Sequence, residues 1–281
     1  MIYICADDYG LCPISSQRIH NCLNGGCLNK VSIFPNFDNW CMEDFSDAPQ
    51  VKLSVHINLV EGKCLSNPLD IPLISEKDGT FKHTFTGLLK LSLTRKKAFE
   101  AQVYKEIVCQ IKKHKSLVGE DADIFVDTHQ HTHMIPSVFK MLLKAIEDEK
   151  VKVKYIRIPA EPLMPFIKTP SLYFTYSPVN LVKQWLLKFL WQINKKEYKK
   201  QPLPTAYFFG ILFSGRMDEK RVNKVLPHYI RLAEKKGIDI EVLFHPGYLE
   251  KGELTPKLAF ESFYFSTGRK EEYNAVMNLD I

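Results

Sequence analysis

Short apolar runs recur along the chain, and most are followed by a stretch with helical periodicity. Residues 2–6 form one such run, followed by a helical pattern over 15–23 that closes on Gly25-Gly26. Further apolar runs occupy 31–34 and 51–59, and a long amphipathic pattern over 98–115 leads to another run at Ile124. The helical pattern 137–148, the runs 153–158 and 207–213, the helical region 218–236 and a last run over 238–244 complete the series. Strands alternating with helices imply a mostly parallel α/β sheet, layered or closed into a barrel. About seven strands are evident, so the expected fold is a distorted or incomplete (β/α) TIM-like barrel rather than a regular eightfold one. No internal repeat or low-complexity linker divides the chain, and its 281 residues are expected to form a single domain, 1–281.

The polar residues gather where these runs end. The first runs into Asp7-Asp8, the third carries His56-Ile57-Asn58, and the Ile124 run leads into Asp127-Thr128-His129-Gln130-His131-Thr132-His133. Arg157 follows the Val153 run and His245-Pro246-Gly247 the last one. In parallel α/β folds the carboxyl ends of the strands build the active site, so these residues should converge on one rim.

The histidine cluster looks like a metal site. If the strand continues through it, Asp127, His129, His131 and His133 share one face, and Thr128, Gln130 and Thr132 the other. At roughly 3.3 Å per residue, His129 and His133 are about 13 Å apart and cannot meet at one ion. One histidine, or two neighbours on one face, is the realistic contribution; a helical segment would pair His129 with His133, but Pro136 argues against it. The plain alternative is a set of hydrogen-bonded polar residues at a strand end. The adjacent acids Asp7 and Asp8 repel each other unless a cation lies beside them. A metal resolves this, one carboxylate ligating and the other free to act as a base; an acidic pair placed before a helix is the alternative. A lone His56 in an apolar strand reads as a core residue, but with Asp8 and His129 it completes a carboxylate and two imidazoles. His245 lands on the same rim, suited to proton donation near neutral pH, although His-Pro-Gly also suits a plain turn.

Residues 1–6 are too short and too soon interrupted by acids for a signal peptide, and no apolar run is long enough to span a bilayer. The seven cysteines lack C-x-x-C spacing and read as reduced thiols, which points to the cytoplasm. The net charge of +6 is scattered over probable helices with acidic neighbours, and no nucleic-acid-binding pattern accompanies it, so no nucleic-acid partner is expected. Residues 180–193 are strongly apolar for a helix, with lysines on one side. They are expected to pack on the protein's own core or against a second copy, leaving room for a homodimer. Adsorption to a membrane surface is the alternative, without stable insertion.

The motifs Ala6-Asp7-Asp8-Tyr9-Gly10-Leu11, His56-Ile57-Asn58-Leu59-Val60-Glu61-Gly62-Lys63, Asp127 to His133 and Phe244-His245-Pro246-Gly247-Tyr248 occur in that order. Together they resemble the YdjC-like carbohydrate deacetylase family, to which chitooligosaccharide deacetylases belong. The resemblance runs from near the first residue to about Tyr248 and is weakest over about 162–224, a less typical helical segment. Tyr9, Ser54, Thr128 and Thr132 depart from the family's commoner residues without removing a presumed ligand or base. The resemblance implies a distorted (β/α) barrel, one divalent metal (magnesium or zinc) and removal of the acetyl group from an N-acetylated amino sugar. Carried over by motif, Asp8, His56 and His129 would hold the metal. Asp7 would take a proton from the attacking water, and His245 would protonate the departing amine. Asn58, His133 and Arg157 are expected near the substrate, Arg157 alternatively neutralising Asp7. A metallohydrolase acting on a phosphate ester and a non-catalytic metal- or sugar-binding protein are the competing readings.

Overall fold

The computed structural model describes residues 1–40, 42–253 and 261–279. In chain order its main elements are β1 (Ile2–Tyr9), α1 (Pro13–Gly25), β2 (Lys30–Ile33), β3 (Lys52–Ile57), α2 (Phe85–Thr94) and α3 (Lys96–Val118). Then come β4 (Ile124–Thr128), α4 (Pro136–Asp148), β5 (Val153–Ile156), α5 (Met164–Ile167) and α6 (Pro178–Tyr198). The chain continues with β6 (Tyr207–Phe209), α7 (Glu219–Lys236), β7 (Ile240–Phe244), α8 (Glu261–Tyr264) and α9 (Thr267–Asn278). The seven strands pair in parallel in the order β5-β4-β3-β2-β1-β7-β6. This is the curled, incomplete barrel that the alternation of strands and helices implies. Its two edges are bridged where Ile156 N donates to Pro204 O, just ahead of β6.

Each strand buries both faces, and the two faces differ in chemistry. Ile4, Ala6, Val31, Ile33, Val55, Ile57, Val126 and Val242 point outward into two apolar layers under the helices. One layer packs residues such as Phe99, Val103 and Ile107 of α3 against Phe139 and Leu142 of α4; the other packs Ile19 of α1, Val225 of α7 and Val276 of α9. A fully buried residue of this kind contributes about 1.5–3 kcal/mol. Local chemistry sets the helix ends: proline opens α1, α4 and α6, where no N–H is needed. Asp218 caps the first turn of α7 through Arg221 N, and Gly237 closes that helix with a left-handed φ of 63°.

The inward face is layered. Tyr3, Phe125 and Tyr155 pack at the base with ring centroids 5.0–5.3 Å apart. Above them lie Lys30, Asp127, Arg157 and Glu241, all buried, and above these the carboxyl ends of the strands. Leu187 and Leu190 of α6 fill the interior beside Cys5, Phe208 and Leu243.

Two sequence expectations change here. The strand at Ile124 stops at Thr128, because Gln130 and His131 adopt left-handed φ values of 52° and 56°. Residues 129–134 therefore turn instead of alternating, and His129, His131 and His133 do not share a strand face. The 180–193 helix forms, but its apolar residues are not all covered by the chain. Leu187 and Leu190 are buried while Val182, Trp185 and Phe189 are exposed. Six cysteines are free thiols, and Cys41 lies outside the described residues. Among the described residues no helix is long and apolar enough to cross a membrane.

Candidate active site

Consecutive residues of a strand face opposite sides, so Asp7 and Asp8 cannot both line the interior of a regular strand. Asp8 breaks the alternation with a φ of 73°, and the pairing of β1 with β2 shifts register between Ala6 and Tyr9. A left-handed aspartate costs on the order of 1 kcal/mol, less than most side chains would. Gly10 follows at φ 90°, where a Cβ would lie 2.9 Å from Trp40 Cδ1. The bend brings both carboxylates to one buried rim: His56 Nε2 lies 3.5 Å from Asp8 Oδ1 and 3.9 Å from Asp7 Oδ2.

Three potential ligand atoms converge on that rim. Asp8 Oδ1 is 3.1 Å from His129 Nδ1, and His129 Nδ1 is 3.4 Å from His56 Nε2. Donor atoms about 2.0–2.1 Å from a tetrahedral cation sit about 3.3 Å from one another. Asp8 Oδ1 is buried without a hydrogen-bond partner, which a cation would satisfy. Asp8, His56 and His129 thus form a set that fits a divalent ion. Asp7, His56 and Asp127 also approach one another, but both carboxylates of that set are already engaged.

The engagement is an ionic layer beneath the rim. Asp127 Oδ1 accepts from His56 Nδ1 at 2.5 Å, while its Oδ2 accepts from Ser32 Oγ (2.7 Å), Ser54 Oγ (2.5 Å) and Lys30 Nζ (3.2 Å). The bond to Nδ1 turns His56 Nε2 toward Asp8, as carboxylate partners do for metal-binding imidazoles. Arg157 donates from both terminal nitrogens to Asp7, at 2.7 and 2.8 Å, and to Glu241 Oε1 at 2.6 Å. The Arg269 guanidinium binds the second oxygen of Asp8. Removing one partner from a buried cluster of this kind typically costs 3–5 kcal/mol, because it strands a charge.

These charges set the protonation states. Burial raises the Asp7 carboxyl, but the Arg157 and His56 charges outweigh it and leave Asp7 below its ordinary value. Burial likewise opposes ionisation of Asp8, yet Arg269 and His129 hold it well below the usual range. His56 moves the other way: burial lowers it, but Asp7, Asp127 and Asp8 together raise it to about 9. Burial lowers His129 despite Asp8, which favours the neutral imidazole.

Above the rim opens a cavity of about 540 Å³ whose floor includes Asp7, His129 and His245. His245 N donates to Glu272 Oε2 at 2.5 Å, and its Nδ1 lies 3.3 Å from the same oxygen. Glu272 therefore holds the His245 ring from behind. Tyr264 Oη is 3.4 Å from His129 Nε2. Lys183, the cavity's cationic side chain among the described residues, has its ammonium pKa lowered by burial against the pull of Glu161 and Asp7.

Of the residues expected at the site, Asp7, Asp8, His56, His129 and His245 come together. Arg157 sits one layer down on Asp7 and Glu241. Asn58 and His133 lie outside the cavity wall. The Asn58 side chain accepts from Val60 N and Glu61 N and donates to Asn36 Oδ1 and Glu61 O, pinning its own loop. His133 bonds Thr128 Oγ1 at 2.7 Å and Arg157 O at 2.8 Å, and burial drops its pKa to about 4. The sequence groups Asp127 with the histidine cluster without giving it a role of its own, and gives none to Lys183, Tyr264, Arg269 or Glu272. The last two are three apart on α9, beside buried Ala275 and Val276. That spacing on an apolar helix face is the signal that marks them.

A curled parallel sheet with a carboxylate–imidazole cluster at its carboxyl rim defines the class: a barrel-type protein with a candidate single-metal centre. The profile of the YdjC-like protein family matches residues 1–281, so the chain belongs to that family. It is 27% identical over 168 residues to a carbohydrate deacetylase of Danio rerio, covering 59% of this chain and 51% of that one. It is 25% identical over 235 residues to a carbohydrate deacetylase of Thermoanaerobacter pseudethanolicus, covering 82% and 87%. A chitooligosaccharide deacetylase of Yersinia pestis is 20% identical over 164 residues, covering 56% and 60%. The chain spans about half the length of the Danio rerio and Xenopus laevis relatives it matches. In fold it matches the crystal structure of a protein from Enterococcus faecalis V583 provisionally named for cellobiose-phosphate cleavage. That match has a TM-score of 0.67 at 15% identity, covering 98% of this chain and 90% of that one.

Proposed function

We propose that the chain is a metal-dependent carbohydrate N-deacetylase, hydrolysing the acetamide of an N-acetylated amino sugar to acetate and a free amine. The observation that carries this reading is the convergence of Asp8 Oδ1, His56 Nε2 and His129 Nδ1, with Asp7 and His245 on the same cavity floor. The names of the curated relatives, carbohydrate deacetylase and chitooligosaccharide deacetylase, support the choice of substrate.

A divalent cation held by Asp8, His56 and His129 would supply Lewis acidity to the attacking water and the acetyl carbonyl. Asp7 accepts the proton of the attacking water. Arg157 keeps it ionised at neutral pH, which ensures a vacant acceptor while limiting its basicity. His245 donates a proton to the departing nitrogen, its ring aimed by Glu272. Asp127 fixes the His56 ring, and Arg269 fixes Asp8.

A phosphate ester is the second substrate to consider, since the fold neighbour is named for a phosphorylated sugar. Anion recognition needs free cations, yet Lys30, Arg157 and Arg269 are each bonded to carboxylates beneath or beside the rim, which leaves Lys183 in the cavity, its charge disfavoured by burial. This favours the uncharged acetamide. Incubating purified, metal-loaded protein with N-acetylglucosamine oligomers and with sugar phosphates tests the choice. Acetate without phosphate is the expected product; phosphate release without acetate would overturn the reading.

A further inference from the structure

The exposed apolar side chains are not scattered. Of sixteen large apolar residues exposed among the described residues, eleven lie within 163–193. They include Ile167, Phe174, Val179, Val182, Trp185 and Phe189, with Phe174 wholly exposed and Trp185 at 68%. The Trp185 and Phe189 rings stack at 5.8 Å, 7° from parallel, on the outer side of α6. Side chains of this number and size expose apolar surface on the order of 1,000 Å² in total, an unusual amount for one stretch of chain.

Two further observations say what covers it. Residues 162–200 contain seven lysines and a single acid, Glu197. A second copy seated on this surface would set lysine-rich segments against each other, whereas an anionic bilayer attracts them. Exposed Trp185 and Phe189 with Lys188 and Lys196 nearby on the same helix suit the boundary between acyl chains and anionic headgroups. The patch is also continuous with the active-site cavity. Val179 and Val182 belong to both, and Phe85, Leu186, Leu187 and Phe263 extend an apolar wall inward. A free oligosaccharide gives such a wall little to bind; a sugar attached to an apolar carrier fills it.

We propose that the 163–193 surface docks on an anionic lipid membrane, and that the substrate is an N-acetylated amino sugar borne on a lipid whose chain leaves the cavity along α6. The substrate half rests on the deacetylase reading; the docking half does not. The reaction is unchanged: the amide C–N bond breaks, the water oxygen ends in acetate and the amine gains the proton.

The test pairs vesicle flotation with acetate release. Wild-type protein should float with vesicles of phosphatidylglycerol and phosphatidylcholine at 3:7 and low salt, but not with phosphatidylcholine alone. Trp185→Glu and Phe189→Glu, both at exposed positions, should each weaken that partition at least tenfold. In the same anionic vesicles, acetate release from dodecyl N-acetylglucosaminide should exceed that from soluble N-acetylglucosamine oligomers at least tenfold. The two variants should lose this gain while keeping the wild-type rate on the soluble oligomers. Absence of flotation, or a dimer in sedimentation that Trp185→Glu dissolves, would overturn the docking surface. Flotation with equal rates on both substrates would overturn the lipid-borne substrate. Flotation with no acetate from either would show that the deacetylase reading failed and the docking surface did not.

Discussion

Asp7 and Asp8 are neighbours in sequence with different surroundings. Both oxygens of Asp7 accept from Arg157, whereas Asp8 gives one oxygen to Arg269 and leaves the other facing two imidazoles. Asp7→Asn should therefore keep the metal and lose most turnover, since an amide cannot accept the water's proton. Asp8→Asn should instead lower metal content after chelation and reloading. Elemental analysis beside turnover separates them; metal loss in Asp7→Asn with retention in Asp8→Asn would exchange the two roles. His245 is assigned to the leaving nitrogen, and general acid–base steps are worth about 10²–10⁴-fold. His245→Ala should cost that much on the sugar amide with metal still bound, and far less on an aryl acetate, whose leaving group needs little protonation. Equal losses on both substrates would remove His245 from the role. Most of this set was legible because carboxylates and imidazoles at the ends of apolar runs are rare unless something binds there. Arg269 and Glu272 were passed over because charges three apart on a helix ordinarily face solvent; only their register with Ala275 and Val276 marks them as inward.

At the scale of elements, the turn after β4 decides which histidine reaches the rim. The period of two in residues 124–128 reads correctly as a strand, but nothing in His129-Gln130-His131 announces a left-handed turn, which Gly or Asn would have done. Tertiary packing imposes it. Gln130→Gly should therefore leave the urea midpoint unchanged or raise it, whereas Gln130→Val should lower stability by more than about 1 kcal/mol, a β-branched side chain being poorly tolerated at φ 52°. Equal losses from both would show that backbone conformation is not what the position selects. The α6 helix was legible in part. Its apolar content made burial the natural expectation, yet the helix turns Leu187 and Leu190 inward and Trp185 and Phe189 outward. Composition counts apolar residues but does not orient them.

At the scale of the whole molecule, acid should loosen the fold through histidines buried in the neutral state. His114 of α3 has both ring nitrogens buried without hydrogen bonds, and burial lowers its pKa to about 4. The unfolded chain takes up that proton near pH 6.5 and the folded chain only near 4. Stability is thus complete above 6.5 and falls as pH drops, by about 3 kcal/mol from this group once pH passes below 4. His114→Leu should flatten the decline in urea-unfolding free energy between pH 7 and 4; an unchanged slope would assign the acid sensitivity elsewhere. The barrel was foreseeable because strand–helix alternation admits few architectures, whereas the layering of its interior depends on contacts between residues as distant as Lys30 and Glu241. That layering holds His56 and Asp7 in place under the cavity, where one cation would complete the site. The most direct measurement is acetate release from N-acetylglucosamine oligomers by chelated protein titrated with a divalent ion. Release should be absent without the ion and rise linearly to a plateau at one equivalent per chain. Full release from the chelated protein, or a plateau at two equivalents, would contradict a single centre formed by Asp8, His56 and His129.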